Sequence, residues 1–241
     1  MTPKAIVLAA GKGTRMGGDR PKVLHEAGGK TLLAWTLGAL ADAGVTDVVA
    51  VVGYRRDEVI ATLPTGVRWA GQSPLLGTGH AVGCARFAFP EGDDAPIIVT
   101  CGDMPLVRAD TFRLLARMRA DARADVALLT VPVPEESRFG RVLRLPDGSV
   151  DRIVEWKDAT PEERALSEGN AGVYCFSQRA LWPALEKISN RNAAGEYYLP
   201  DVLPVFRAAG GKVAAHRSDD ALEALGVNTP EDLARVESAV E

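Results

Sequence analysis

Cysteine is scarce in this chain, and its spacing excludes most of the chemistry cysteine supports. Only Cys84, Cys101 and Cys175 occur in 241 residues, an odd number with no C-x-x-C pair. That pattern argues against a disulfide framework or a zinc ribbon and fits a reducing compartment. Histidine is as rare. His25, His80 and His216 form no metal-ligand pair in sequence, which leaves them structural or surface roles. No G-x-S-x-G nucleophile elbow is present. Positive charge is not in excess either: 28 Lys and Arg stand against 32 Asp and Glu, a formal net charge of -4, which argues against a broad electrostatic grip on nucleic acid. Long hydrophobic runs are missing. The N-terminal apolar run is too short for a signal-peptide core, and nothing approaches the length of a membrane-spanning helix. A cytoplasmic protein with no membrane partner and no nucleic-acid partner is expected. No long linker, internal repeat or low-complexity segment divides the chain, so a single domain with two lobes is expected.

What is present is an ordinary globular composition with one informative stretch near the start. Ala5-Ile6-Val7-Leu8-Ala9-Ala10 has the length and bounds of a buried strand. It breaks into Gly11-Lys12-Gly13-Thr14-Arg15-Met16, with Pro21-Lys22 just beyond. Gly11 and Gly13 carry no Cβ, so backbone N–H groups there can approach a ligand closely. Lys12, Arg15 and Lys22 add three positive charges, which together make a phosphate cradle. It is not a Walker A loop. Counting from Gly11, the second glycine position is Met16, and counting from Gly13, Gly18 is followed by Asp19 and Arg20 instead of Lys-Ser/Thr. The dinucleotide pattern G-x-G-x-x-G also fails at Met16. A solvated basic turn would account for an isolated Gly-Lys-Gly, but poorly for Arg15 and Lys22 beside it.

Beyond the loop the pattern alternates. Thr31 is placed to cap a helix running to about Ala43, with Gly44 just past its end. Asp47 to Val52 reads as a second buried strand, followed by a short helix near Asp57–Leu63 and a short strand near Val67–Ala70. Pro96 to Thr100 is a third buried strand, a helix follows near Ala109–Ala122, and Val126 to Val131 is another strand. Strands alternating with helices predict a parallel sheet. Then the grammar changes. Arg141–Leu145 and Val150–Glu155 flank Pro146-Asp147-Gly148-Ser149, the signature of a β-hairpin. A strand over Asn170–Phe176 and a helix carrying Leu181, Leu185 and Ile188 come next, with Pro183 either breaking that helix or marking its start. A helix near Leu199–Ala209, a strand at Lys212–Arg217 and a last helix opened by Thr229-Pro230-Glu231-Asp232 complete the chain.

Three further positions carry chemistry. Gly77-Thr78-Gly79 opens a helix whose N-terminus would favour polar or negative ligand atoms, although Thr78 as a plain helix cap is the favoured reading of that motif alone. Asp103 follows the Pro96–Thr100 strand, on the edge where parallel sheets bind ligands. A metal-ligand role fits Mg²⁺ there, and capping the next helix or closing a turn are the alternatives. In the tail, capping explains Thr229, Pro230 and Asp232 but not Asn228.

Leu8–Met16 with Pro21-Lys22 resembles the signature of sugar-phosphate nucleotidyltransferases, in particular the uridyltransferase domain of bacterial N-acetylglucosamine-1-phosphate uridyltransferases. The likeness covers nearly the whole chain. Its landmarks recur in order: Gln72, Gly77–Ala81, Gly102-Asp103 with Pro105, Gly140-Arg141, Glu155 with Lys157–Ala159, Asn170–Gly172, Gly195–Leu199 and Gly226–Asn228. The resemblance implies a Rossmann-like α/β fold, a mostly parallel twisted sheet flanked by helices, with a hairpin-containing sugar lobe. It implies a nucleotide-binding lobe over about residues 1–130, a sugar-phosphate lobe over about 131–228 and a C-terminal helix over 229–241. It further implies that UTP and N-acetylglucosamine 1-phosphate are joined with Mg²⁺ as cofactor. Ala10, Gly11 and Gln72 would contact uracil, with Leu8, Ala9 and Gly13 in the same nucleotide-binding run and Gly77 and Thr78 near the nucleoside. Arg15 and Lys22 would hold phosphates, Asp103 and Asn228 the metal, and Gly140, Glu155, Asn170 and Thr78 the sugar phosphate.

Pro74-Leu75, Cys101 and Phe139 depart from that pattern at positions that bear on base and sugar preference, and leave the phosphate and metal residues intact. The chain also stops where bifunctional relatives continue into a β-helix acetyltransferase domain. No acetyltransferase activity and no compelled trimer are expected, only a monomer or weak dimer. Transfer of another nucleotide or to another acceptor, and a non-catalytic nucleotide-sugar-binding regulator, are the rival readings.

Overall fold

The computed structural model describes residues 1–90 and 95–240, and among them eleven strands and eight helices follow one another. The strands are β1 (Lys4–Ala9), β2 (Glu26–Ala27), β3 (Lys30–Thr31), β4 (Val48–Val52), β5 (Arg68–Gly71), β6 (Ile97–Cys101), β7 (Val126–Pro132), β8 (Arg141–Arg144), β9 (Val150–Val154), β10 (Glu168–Phe176) and β11 (Val213–Arg217). The helices are α1 (Leu32–Asp42), α2 (Arg56–Ile60), α3 (Thr78–Cys84), α4 (Ala109–Ala122), α5 (Pro161–Arg164), α6 (Gln178–Leu185), α7 (Val202–Ala208) and α8 (Pro230–Val240).

One sheet runs through the chain in the order β11-β7-β10-β6-β1-β4-β5. Neighbours pair in parallel except at β10, which is antiparallel to both β6 and β7. The hairpin of β8 and β9 attaches through the pairing of Arg141 with Gly169. The expected mostly parallel α/β sheet is therefore present, and β10 and β11 from the second half of the chain extend the same sheet as β1.

The side-chain period of two divides the core. Ala5, Val7 and Ala9 of β1 join Val48, Ala50 and Val52 of β4 in a layer completed by Leu33, Leu37 and Leu40 of α1 and Phe112 and Leu115 of α4. Ile6, Val49 and Val51 point the other way, into a layer with Val82 of α3, Leu181 of α6 and Val202, Leu203 and Phe206 of α7. A third, smaller cluster gathers Met16, Ala27, Leu32, Leu225, Val227 and Val236. It matters for the site, because Met16 and Val227 are the chain neighbours of Arg15 and Asn228. Burying each of the larger side chains here contributes roughly 1.5–3 kcal/mol, and in doing so clamps α8 and the tail against the loop after β1.

Local signals read from the sequence hold at several ends. Thr31 caps α1, its Oγ1 accepting from Ala34 N at 3.1 Å. At α8, Thr229 Oγ1 accepts from Asp232 N at 3.2 Å while Asp232 Oδ2 accepts from Thr229 N at 3.0 Å. Asp232 Oδ2 also accepts from Asn228 N at 3.0 Å, so the cap fixes the backbone of Asn228 as well. Two expectations are corrected. Pro183 neither breaks nor starts its helix: it lies inside α6, one turn after the first residues, where packing of Leu181, Trp182 and Ala184 into the core outweighs the lost backbone donor. Thr78 is not a cap. Gly77 holds the cap position of α3 without a side-chain bond, and Thr78 Oγ1 instead accepts from Leu199 N at 2.9 Å.

Candidate active site

At the carboxyl end of β1, Leu8 O accepts from Gly102 N at 2.9 Å and Ala10 O from Tyr54 N at 3.0 Å, which closes the loop roots of β1, β4 and β6 together. Gly13 is left-handed, with φ +68°, and a Cβ there would fall 2.5 Å from Lys22 Cβ. Its role is to let the Lys22 stem pass. Lys22 Nζ is ion-paired with Asp103 Oδ2 and donates to Asn228 Oδ1 at 3.0 Å. Arg15 Nη2 donates to the same Asn228 oxygen at 3.0 Å. The Asn228 amide is turned by its own Nδ2 bond to Gly226 O at 2.9 Å, and Val227 N donates to Asp103 O at 2.9 Å. The four charged or metal-type residues singled out in the sequence thus meet at one point. Asp103 does not cap α4, whose cap position is Arg108. Lys12 stays apart, its Nζ 5.3 Å from the Tyr54 ring centroid, so two of the three cations of this loop region, Arg15 and Lys22, line the cleft.

Two cavities meet at Asp103. One, of about 330 Å³, is lined by Leu8, Ala10, Gly11, Lys22, Gln72, Leu75, Gly77, Thr78, Cys101, Asp103 and Glu196. Gln72 Nε2 donates to Gly77 O at 3.0 Å and lies 3.1 Å from His80 Nδ1, which turns the side-chain carbonyl of Gln72 away from those partners. Gly77 has φ +100°, and a Cβ on it would meet Tyr197 O at 2.7 Å. Ala9 does not line this cavity: it is buried on the α1 side of the sheet. Gly13 reaches it only through Lys22.

The second cavity, of about 550 Å³, is lined by Arg15, Cys101, Asp103, Arg138, Gly140, Glu155, Asn170, Asn228 and Arg235 among others. Asn170 Oδ1 accepts from Tyr174 OH at 2.9 Å and Gly172 N at 3.1 Å, which leaves its Nδ2 to donate. Gly140 gives its carbonyl to Asn170 N at 2.9 Å, and a Cβ on it would lie 3.4 Å from Glu155 Oε1. Burial, then the nearby Asp201, Asp158 and Glu196, push the Glu155 carboxyl up to about 7. Cys101, between the two cavities, is pushed up to about 12 by burial and Asp103, so it stays a neutral thiol. A third cavity of about 390 Å³ shares Arg15, Arg138 and Glu155 with the second and Glu196 with the first.

Two buried charged residues that no motif assigned a role build the walls. Arg141 is fully buried and donates to the carbonyls of Pro134, Glu135, Ser137, Phe139 and Arg164 at 2.8–3.2 Å, with Trp156 stacked 4.9 Å away. Glu223 is also buried. It accepts from Arg108 Nη2 at 3.0 Å, from Ser218 Oγ at 3.2 Å and from Thr111 Oγ1, strapping the segment that leads to Asn228 onto α4. Their positions in the sequence offered one signal only, Arg141 in the Gly140-Arg141 landmark. Glu196, inside the Gly195–Leu199 landmark, was likewise legible as a motif member without a role.

A MobA-like NTP transferase domain matches residues 5–201, most of the chain and both sides of the cleft. The chain belongs to that family. It is 43% identical over 237 residues to the bifunctional protein GlmU of Lactococcus lactis subsp. lactis, covering 98% of this chain and 52% of that one. The GlmU of Heliobacterium modesticaldum is matched at 43% over 237 residues, with 98% and 52% covered. The chain spans about half the length of the curated relatives it matches. A solved structure from Bacillus anthracis, described as a glucose-1-phosphate thymidylyltransferase in complex with sucrose, superposes with a TM-score of 0.75 at 20% identity, covering 99% of this chain and 95% of that one, and shows a shared fold. The resemblance drawn from the order of the motifs is thus shown, and the chain carries a nucleotidyltransferase domain. Among the described residues, no helix is long and apolar enough to cross a membrane.

Proposed function

We propose that this chain is a sugar-1-phosphate uridyltransferase that joins UTP and N-acetylglucosamine 1-phosphate into UDP-N-acetylglucosamine and pyrophosphate. The observation that carries this reading is the convergence of Arg15, Lys22, Asp103 and Asn228 where the two cavities meet. The cavity with Ala10, Gly11 and Gln72 takes the nucleoside, and the cavity with Gly140, Glu155 and Asn170 takes the sugar. The chain thereby divides into a nucleotide-binding lobe over about 1–130 and a sugar-phosphate lobe over about 131–228.

A sugar phosphate is an anionic nucleophile at neutral pH, so no general base is needed. One of its phosphate oxygens forms a bond to the α-phosphorus of UTP, and the bond from that phosphorus to the bridging oxygen breaks, releasing pyrophosphate. The difficulty is bringing two anions together, so positioning and cationic stabilisation dominate. Lys22 and Arg15 supply the cations that hold the phosphates in line. Gln72 offers a carbonyl to the base, and Asn170 Nδ2 with Glu155 orients the sugar.

The site also fits Mg²⁺. Asp103 Oδ2 and Asn228 Oδ1 already face one shared cation, the Lys22 ammonium, and hard oxygens of this kind suit a metal that keeps waters and binds substrate phosphate. Bound there, Mg²⁺ would withdraw charge from the transferring phosphate.

The test is pyrophosphate release from each nucleoside triphosphate against a panel of sugar 1-phosphates with Mg²⁺ present. Release with UTP and N-acetylglucosamine 1-phosphate alone supports the proposal. Preference for another pair moves the assignment within the class. Tight UDP-sugar binding without release from any pair would replace it with a regulator.

A further inference from the structure

We propose that Arg138 contacts the phosphate of the acceptor sugar 1-phosphate and is a determinant of acceptor affinity, an inference that rests on the functional reading above. Arg138 belongs to the loop between β7 and β8, and two features of that loop point to a ligand.

The first is its rigidity. The fully buried Arg141 draws in the carbonyls of Pro134, Glu135, Ser137 and Phe139, four of the six residues from 134 to 139. Its Nη1 adds a bond to Ser137 Oγ at 3.2 Å. A buried guanidinium is costly to desolvate unless its donors are satisfied, and here every bond from Nη1 and Nη2 goes to this one surface loop, while Nε donates to Arg164 O. The loop therefore presents Arg138 from a preorganised backbone, which lowers the entropy lost when the side chain grips a ligand.

The second is placement. Arg138 lines both the 550 Å³ and the 390 Å³ cavities, and the residues shared by those two cavities are Arg15, Arg138 and Glu155. It stands where the sugar-side walls meet the phosphate-holding loop. Arg15 is already bonded to Asn228 Oδ1 and Lys22 to Asp103 and Asn228. Arg138, by contrast, has no hydrogen bond or ion pair to another described residue. The walls around it carry the carboxylates Glu155 and Glu196 and a further cation, Lys157, which lines the smaller cavity only, so a doubly charged acceptor entering past those carboxylates gains from a cation common to both cavities. A guanidinium suits that task, since its planar fork matches two phosphate oxygens at once.

The test is steady-state kinetics on Arg138→Gln, Arg138→Lys and Arg235→Gln, with N-acetylglucosamine 1-phosphate and UTP varied separately. Arg235, on α8, lines only the larger cavity and is also without a described partner, so its loss removes the same charge from the same cleft. The proposal expects R138Q to raise KM for the sugar phosphate roughly tenfold to a hundredfold. KM for UTP should stay near the parent value, R138K should recover part of the loss and R235Q should do much less. Because Arg138 is exposed, the melting temperature should not move. An unchanged acceptor KM in R138Q overturns the proposal. So does an equal rise in both substrates' KM, or an equal effect in R235Q, since either would mark a general field and not a contact. Calorimetric binding of N-acetylglucosamine 1-phosphate alone separates this from the functional reading. Binding that depends on Arg138 without turnover would sink the reading and keep the contact, binding that ignores Arg138 would sink the contact, and no binding would sink both.

Discussion

The ammonium of Lys22 is ion-paired with the carboxylate of Asp103, one from the loop after β1 and the other from the turn after β6. Asn228, 206 residues away from Lys22 in the chain, accepts from the same ammonium at 3.0 Å. Two oxygens therefore converge on a side-chain cation that the proposed reaction needs at the phosphates.

Lys22→Ala should cut kcat steeply. By analogy with the loss of one preorganised donor, the cost is on the order of 3 kcal/mol, about a hundredfold. Asp103→Asn keeps the shape and removes the charge. Its expected signature is a Mg²⁺ titration of the rate shifted to higher concentration, and an unshifted titration would leave Asp103 a structural role only.

Gly77→Ala should damage the nucleotide side. A Cβ there would sit 2.7 Å from the backbone oxygen of Tyr197, and the φ of +100° is hostile to any L side chain. Strain of about 1–3 kcal/mol is expected, and any shift of the Gly77 carbonyl releases the Gln72 amide it accepts from. KM for the nucleotide should rise as the melting temperature falls. Gly29→Ala is the comparison: its φ is +72°, but nothing lies near its Cβ position, so it should lose some stability and leave KM alone.

Glu155 should give the protein a pH dependence. Burial raises its carboxyl from 4.5 to about 7, so folding favours the protonated form. The stability it contributes is complete below about pH 4.5 and is lost as pH rises through 7. With allowance for the part of the side chain open to the cleft, the amount is on the order of 2 kcal/mol. Glu155→Gln, a permanently neutral side chain of the same shape, should flatten this step in urea unfolding measured from pH 5 to pH 9. The same substitution should remove a step near pH 7 from the acceptor KM, measured against the parent so that titration of the substrate cancels.

Arg141→Met should loosen the sugar side from a distance. It strips the loop carbonyls of their donors while roughly keeping the buried volume, and some carbonyls regain water, so the expected loss is roughly 2–4 kcal/mol. Denaturant unfolding measures it. Acceptor KM should rise with little change in KM for UTP, because the loop borders the sugar cavities and not the nucleotide one.

What the sequence determined by itself was whatever chain neighbours decide. Continuous apolar runs marked β1 and β4 as buried strands, Thr31 and the Thr229–Asp232 pair fixed helix starts, and Pro146–Ser149 fixed a hairpin. The order of glycines, cations, Asp103 and Asn228 also carried the family. Tertiary structure alone decided which of these side chains share a point in space. It sent Lys12 to Tyr54 and Lys22 to Asp103, although both lysines flank the same glycine-rich loop. It gave Thr78 Oγ1 to the backbone of Leu199 instead of its own helix, buried Arg141 under a loop, and crowded Glu155 with carboxylates from distant segments. Helix caps and strand periods arise from bonds between residues a few positions apart, so composition and spacing reveal them. A charge cluster assembled from the ends of several strands depends on how sheet and helices pack, and no local pattern encodes those distances.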